Sequence, residues 1–378
     1  MSVEKRYPRL LFFVGNIEYF ISHRLTLALG AISNGYDVWV IAPSVSPVPE
    51  LPGGIKVFFL NTFRKSRMAP WGVGKECLEI LKAFKVIIPD ILHNVGMKPI
   101  FLGSFLAFHS CGVVNDFAGL GYTFTVSSQE NRVKKLILKF IFYCFFPLMI
   151  RKKRCKILCQ NSQDKKILRS SVNKKVPIYL IPGSGIDMST FFILPMPAPS
   201  PLRLLFAGRL LKEKGLRELV EAKKLLKKVE LEILVCGDVD LENPSSFTTE
   251  QIMAWQEEGL IHWLGFKKEL SQVYKRVHGA VLPSYREGLP RSLLEACAWG
   301  RPVITTQVPG CQDVVIDGVT GYLAKAQDVF DLARAIQTWA DDPEKEEKGK
   351  AGHFYVIEHF SKEKIHPQIF EIYKKSIQ

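Results

Sequence analysis

Short runs rich in β-branched and aromatic residues alternate along this chain with helix-length segments whose apolar positions fall three and four apart. In the first half the strand-like runs are Leu10–Val14, Val38–Ala42, Lys56–Leu60, Ile91–His93, Gly112–Asn115, Lys156–Gln160 and Ile178–Ile181. A second series occupies Arg203–Ala207, Leu231–Cys236, Ile261–Leu264, Ala280–Pro283 and Val303–Thr305, and ends near Tyr322. Strand, crossover helix and strand is the unit of a parallel sheet, so the pattern predicts an α/β chain with two doubly wound, Rossmann-like domains. Between the two series the stretch FFILPMPAPSP, Phe191–Pro201, carries four prolines. Proline at that density bars regular structure and predicts an extended linker. The expected layout is a domain over 1–190, a linker over 191–201, a second domain over 202–355 and a last helix over 356–378. Open parallel sheets bind ligands outside the carboxyl ends of their strands, so the expected site is a central cleft that the two domains face. No period of 20 to 50 residues recurs, which excludes a solenoid.

Charge changes this picture in one half only. Residues 1–190 hold 26 Lys/Arg against 11 Asp/Glu, a balance of +15 that leaves −1 for the rest of the 378 residues. The first domain is therefore expected to meet something anionic. Nine of its cations fall in Arg132–Lys156, around the eleven apolar or aromatic residues Phe140–Ile150. Eleven is too few to cross a bilayer, which takes about 20. Basic flanks on an aromatic helix suit a segment lying among the headgroups of an anionic leaflet, at about 1 kcal/mol per cation. The alternative is a buried helix under a basic surface turn. Base-stacking or groove-reading modules are not visible, so nucleic acid is not an expected partner.

The eight cysteines sit mostly in apolar runs without a repeating spacing. They read as reduced core residues of a cytosolic protein. Cys155 and Cys159 stand four apart, but no histidine or second cysteine pair follows at finger-like spacing. The opening Met-Ser-Val-Glu-Lys-Arg-Tyr runs straight into a strand-like segment too short for a secretory signal.

The densest chemistry lies in SYREGLPRSLLEACAWGRP, Ser284–Pro302. Gly288 permits a tight turn, Pro290 suits a first helical turn and Gly300 a helix end, which predicts a helix over Leu289–Trp299. Glu287 then sits at the mouth of that helix and Glu295 inside it, about 12 Å further along at helical rise. An elongated ligand can reach both, with a diphosphate at the positive helix N-terminus and a hydroxyl-rich group on each carboxylate. Two solvated glutamates on an ordinary surface helix are the plain alternative for that spacing alone.

The whole string, followed by Val308-Pro309-Gly310-Cys311 to Asp313 and by Asp317–Leu323, resembles the C-terminal signature of the retaining GT-B glycosyltransferases of family GT4. Phe206–Gly215 resembles that family's phosphate-binding strand-to-helix segment, and the similarity runs nearly the full chain. The resemblance implies a GT-B fold, with the C-terminal helix packing back on the N-terminal domain. Arg209 and Lys214 match the family's basic pair that neutralises the donor diphosphate. Glu287 matches the glutamate that faces the transferred sugar, and Glu295 the one that binds the nucleotide ribose. Gly288, Leu289 and Pro290 fall where backbone amides approach the donor, and Gly265-Phe266-Lys267 where the base lodges. Gly15-Asn16 ends the first strand where the family keeps a glycine loop near the phosphates, here with one glycine in place of a pair.

Phe20–Arg24 and Ala118–Phe124 resemble the subgroup that extends polyprenyl-diphosphate-linked saccharides in surface glycan assembly. Many members carry a histidine just before the glycine matching Gly119, and this chain has Ala118 there. Asp116 is a polar candidate for the acceptor hydroxyl at the same strand end, or else a helix or turn cap. His23 and His93 also lie near strand ends, where a lone histidine more often serves structure. Asp238-Val239-Asp240 has the letters of a metal motif but reads as a loop, so no metal and no other cofactor is expected. The implied activity is retaining transfer from a nucleotide-diphosphate sugar, with UDP favoured over GDP, to a lipid-linked acceptor. The implied place is peripheral, on the cytoplasmic face of the inner membrane. A GT-B nucleotide-sugar epimerase, a soluble transferase with a small acceptor, and a non-catalytic binder are the alternatives.

Overall fold

A computed structural model describes residues 6–63, 70–120, 136, 142–143, 146–147, 154–240 and 243–377. They form two compact units: the described residues as far as Gly185 together with those from Lys362 onward, and Ile186–Ser361.

The first unit is built on seven parallel strands in the order β3-β2-β1-β4-β5-β6-β7. These are β1 Arg9–Val14, β2 Asp37–Pro43, β3 Lys56–Leu60, β4 Ile91–Val95, β5 Gly112–Phe117, β6 Cys155–Cys159 and β7 Ile178–Leu180. Successive side chains of a strand point to opposite faces, and both faces here are covered. Leu11 and Phe13 pack with Ile80, Phe84, Phe117 and Phe146, whereas Leu10, Phe12 and Val14 pack with Leu27, Ile369 and Tyr373. That is why β1 reads as an unbroken apolar run instead of an alternating one.

The second unit carries six parallel strands in the order β10-β9-β8-β11-β12-β13. They are β8 Leu202–Ala207, β9 Leu231–Cys236, β10 His262–Trp263, β11 Gly279–Leu282, β12 Val303–Thr306 and β13 Gly321–Ala324. Their order reverses between β8 and β11, and that switch point is where a doubly wound sheet opens a crevice for a ligand. In the first sheet the reversal falls between β1 and β4.

Two expectations shift. The chain crosses between units after Gly185, ahead of the proline-rich stretch. Arg301, fully buried, explains why: its guanidinium donates to the carbonyls of Leu194, Pro195 and Tyr274 at 2.8–3.0 Å, while Phe191 and Phe192 pack against the Trp299 ring. The stretch is thus part of the second unit. The C-terminal segment breaks at Ser361, so that helix Lys345–Phe360 stays with the second unit and helix Lys362–Ile377 alone returns to the first.

Most of Arg132–Lys156, on which the interfacial-helix expectation rests, lies outside the described residues. Phe142 and Phe146 are buried, their rings stacked 4.7 Å apart, with Phe101 and Phe117 at their edges. Cys155 and Lys156 open β6, where Lys156 reaches the Lys375 carbonyl at 2.7 Å. No helix among the described residues is long and apolar enough to cross a membrane.

Candidate active site

Three loops meet at the switch point of the second sheet. The first leaves β8 at Gly208 and turns through Lys212–Lys214 to Gly215, which adopts φ +76°. A Cβ on Gly215 would stand 2.0 Å from the Pro283 carbonyl oxygen, so only glycine lets this loop lie against the end of β11. The second loop, Pro283–Pro290, is tied to the first: Tyr285 N–H and Ser284 Oγ both donate to the Glu213 carbonyl, at 2.8 and 3.0 Å. The third follows β12, and Glu287 N–H donates to the Pro309 carbonyl at 3.3 Å. Gly310, at φ +83°, presses on the middle loop so closely that a Cβ would stand 2.5 Å from Gly288 O and 2.7 Å from Glu287 O. Gly310→Ala is expected to cost about 1–3 kcal/mol in thermal unfolding, through strain and displacement of the Glu287 loop. An unchanged melting temperature with full activity would show that the loop does not depend on this approach.

Within that frame the predicted charges pair up. Lys214 Nζ donates to Glu287 Oε1, and Ser284 Oγ donates to the same oxygen at 2.8 Å. Both partners are largely buried, with side chains 18% and 12% exposed, so the pair is shielded from solvent screening. Arg209 is mostly exposed and stands 3.6 Å from Asp240. Glu295 takes Arg291 Nε at 2.7 Å across one turn of helix Arg291–Ala298. That helix starts two residues later than the pattern suggested: Pro290 is its flanking residue, and no side chain caps it. Leu289 packs against the core. Ser284 is the residue that sequence reading passed over; it was visible in the motif, but nothing in its spacing marks a hydroxyl that grips a carboxylate.

The β9 and β10 loops form a platform beside these residues. Gly237 N–H donates to Gly265 O at 3.0 Å, and Trp263 Nε1 to Gly237 O at 2.8 Å. Phe266 N–H donates to Asp238 Oδ1 at 3.0 Å, which leaves the Phe266 ring 68% exposed. Asp238 and Asp240 therefore each serve a protein group. Gly208 has no such structural duty, since a Cβ there would meet no atom within 4 Å. Open space beside a shielded lysine and carboxylate suits an elongated anionic ligand.

Residues 197–369, which include every one of these groups, match the glycosyl transferases group 1 family. The matched stretch is a little under half of the chain. A relative from Campylobacter jejuni, an N,N'-diacetylbacillosaminyl-diphospho-undecaprenol alpha-1,3-N-acetylgalactosaminyltransferase, is 25% identical over 81% of this chain and 82% of its own. An Escherichia coli UDP-Gal:alpha-D-GlcNAc-diphosphoundecaprenol alpha-1,3-galactosyltransferase is 24% identical over 81% of each. Among solved structures, sucrose-phosphate synthase from Thermosynechococcus elongatus superposes with a TM-score of 0.79 at 22% identity, covering 98% of this chain and 99% of its own. The fold is GT-B, and the protein is a glycosyltransferase.

The remaining predicted residues lie in the first unit of this glycosyltransferase. Gly15 ends β1 at its switch point, and a Cβ there would also meet nothing within 4 Å. Asp116, near the end of β5, is held by partners within the first unit. Its carboxylate is buried and accepts from Arg24 Nη2 at 2.7 Å. His93 Nε2 lies 3.4 Å from the same oxygen, and His93 Nδ1 lies 2.6 Å from the Tyr373 hydroxyl. Burial works against the Asp116 charge, but Arg24 and His93 hold its pKa below the usual carboxylate range. Burial, aided by Arg24, pushes the His93 pKa down, so the ring is neutral near pH 7. His23 sits at the end of helix Ile17–His23, stacked 4.2 Å from Tyr19 with Nδ1 2.7 Å from Ser22 Oγ. Arg24 had no sequence signal as a partner of Asp116, because 92 residues separate them.

Proposed function

We propose that this glycosyltransferase moves a sugar, with retention of configuration, from a UDP-sugar to a polyprenyl-diphosphate-linked saccharide at an anionic membrane leaflet. The observation that carries the reading is the buried Lys214–Glu287–Ser284 cluster at the switch point. Similarity over four-fifths of the chain to two transferases named for diphospho-undecaprenol substrates supports the acceptor class. The UDP in the name of one of them supports the donor.

In this reading Arg209 and Lys214 take the donor diphosphate, which draws them from Asp240 and Glu287. The uncapped N-terminus of helix Arg291–Ala298 adds its partial positive charge. Glu287, freed of Lys214 but still gripped by Ser284, faces the transferred sugar. Glu295 holds the ribose, and the exposed Phe266 ring gives the base a stacking surface. As the bond from the sugar to the diphosphate lengthens, negative charge grows on the phosphate oxygens, where fixed cations stabilise it most. The acceptor hydroxyl attacks from the same face and passes its proton toward the departing diphosphate. No covalent intermediate on the enzyme is needed. The cations supply the leaving-group stabilisation that a metal would give, so we place no metal in the reaction. The first-half balance of +15 supports the anionic leaflet.

Arg209→Ala should lower kcat/KM about 10²-fold, the scale for one preorganised charge contact. EDTA should change the rate little. A strict need for added Mg²⁺ or Mn²⁺ would contradict the cationic clamp. The reading as a whole is tested by incubating the protein with UDP-sugars and a diphospho-undecaprenol-linked saccharide and looking for a product one sugar heavier.

A further inference from the structure

Two of the apolar residues that the sequence offers to a membrane, Phe142 and Phe146, are turned into the core, and the first unit exposes others elsewhere. Helix Pro70–Ile87 has Leu78 69% and Val86 59% exposed, with Ile88 just beyond its end at 54%. On the neighbouring helix Met97–Leu106, Phe105 is 65% exposed. Lys75, Lys82 and Lys85 are exposed as well. At about 100° per residue, positions 75, 78, 82, 85 and 86 share one stripe roughly a third of the helix circumference wide. The two acids of this helix are both engaged within the protein, Glu76 well round from that stripe and Glu79 at its border, about 20° from Val86. Glu76 is buried and bound to Lys98 at 2.8 Å, and Glu79 accepts from Asn61 N–H and from the Thr62 N–H and hydroxyl. The stripe is thus cationic and apolar, bordered on one side by Glu79, whose charge acts on Lys82.

The two helices adjoin through the Lys98–Glu76 bridge, and the Phe84 ring lies 6.5 Å from that of Phe108, just past the end of the second helix. Phe101 of the second helix packs edge-on against Phe142 and Phe146. Isolated exposed apolar residues are ordinary, but lysines interleaved with leucine, valine and phenylalanine on one face are the chemistry of the headgroup boundary. There the ammonium groups meet lipid phosphates while their stems and the apolar side chains lie deeper.

We propose that the face made by helix Pro70–Ile87 and Phe105 is the surface on which this protein docks to an anionic lipid leaflet. The proposal rests on the membrane half of the functional reading and names the element that carries it. Its test is co-sedimentation with phosphatidylcholine vesicles, with and without phosphatidylglycerol, across a salt series. The wild type is expected to bind only the anionic vesicles. K75Q/K82Q/K85Q should weaken binding at low salt at least tenfold. L78S/V86S/F105S should abolish the part that resists high salt. K224Q/K227Q/K228Q, which removes three exposed cations of the second unit, should bind as the wild type does. All the altered side chains are exposed, so melting temperatures should not move. If the wild type ignores anionic vesicles, the membrane reading itself is wrong. If it binds but the two helix variants bind equally well, or the second-unit control weakens as much as they do, the docking face is not this one. The stripe is then either solvated or covered by a protein partner.

Discussion

Glu287→Ala is expected to lower turnover by about 10³-fold or more while leaving nucleotide affinity within a few-fold, the pattern of a contact made mainly in the transition state. The carboxylate is held by Lys214 and by Ser284 at 2.8 Å, on a backbone braced by the Gly310 approach. Alanine removes the charge without moving that frame. Lys214→Ala should cost a comparable factor, since it removes a clamp cation and leaves Glu287 without its counter-ion. Glu295→Ala should fail the other way, raising KM for the donor with kcat little changed, because its proposed partner is the ribose in ground and transition states alike. Steady-state kinetics with varied donor, beside calorimetric titration of the free nucleoside diphosphate, separates these outcomes. Wild-type turnover in both Glu287→Ala and Lys214→Ala would remove the site assignment.

The second large effect is on stability. Asp116→Ala leaves the Arg24 guanidinium buried without its counter-charge, and losing one partner of a buried pair costs about 3–5 kcal/mol. Arg24→Met combined with Asp116→Leu should recover much of that loss, because two apolar side chains carry no desolvation penalty. Chemical denaturation of the single and double variants measures the difference. If both single variants lose less than about 1 kcal/mol, the pair does not hold the unit together as its geometry indicates. The same cluster sets a direction with pH. The folded pKa of Asp116 lies below its unfolded value, so its contribution is present above the ordinary carboxylate range and lost as pH falls through the folded pKa. The His93 pKa is also depressed, so the unfolded chain binds a proton that the folded one refuses, and stability declines as pH drops below about 6.5. Replacing His93 by Gln should flatten that part of the profile.

Strands and their order of appearance were legible because doubly covered parallel strands form dense apolar runs bounded by turns. β1, β9 and β12 fall within two residues of the runs read from the sequence. The motif around Glu287 was legible for a related reason: Gly215 and Gly310 punctuate loops whose tightness only glycine permits. What escaped was whatever depends on partners far apart in sequence. Asp116 looked available because its strand end is polar and short-looped, and only the three-dimensional fold brings Arg24 and His93 to it. The unit boundary was misplaced because four prolines announce an extended chain but say nothing of the Arg301 donors that bind that chain to the second unit. The aromatic run Phe140–Ile150 carries no strict period of its own, so composition could not tell which of its rings face inward. Burial of Phe142 and Phe146 settles that for two of them.

The central claim, that the Lys214–Glu287 cluster transfers sugar from a nucleoside diphosphate to a lipid-linked saccharide, is tested most directly by following both products of one reaction. The purified protein would be given a panel of UDP- and GDP-sugars with a diphospho-undecaprenol-linked saccharide, with UDP or GDP release measured beside the mass and anomeric configuration of the extracted glycolipid. The account predicts that one UDP-sugar releases UDP in step with a one-sugar mass gain, that the new linkage keeps the donor's anomeric configuration, and that Glu287→Ala removes both signals. Failure of every donor to extend the lipid-linked saccharide, or an inverted linkage in the product, would contradict it.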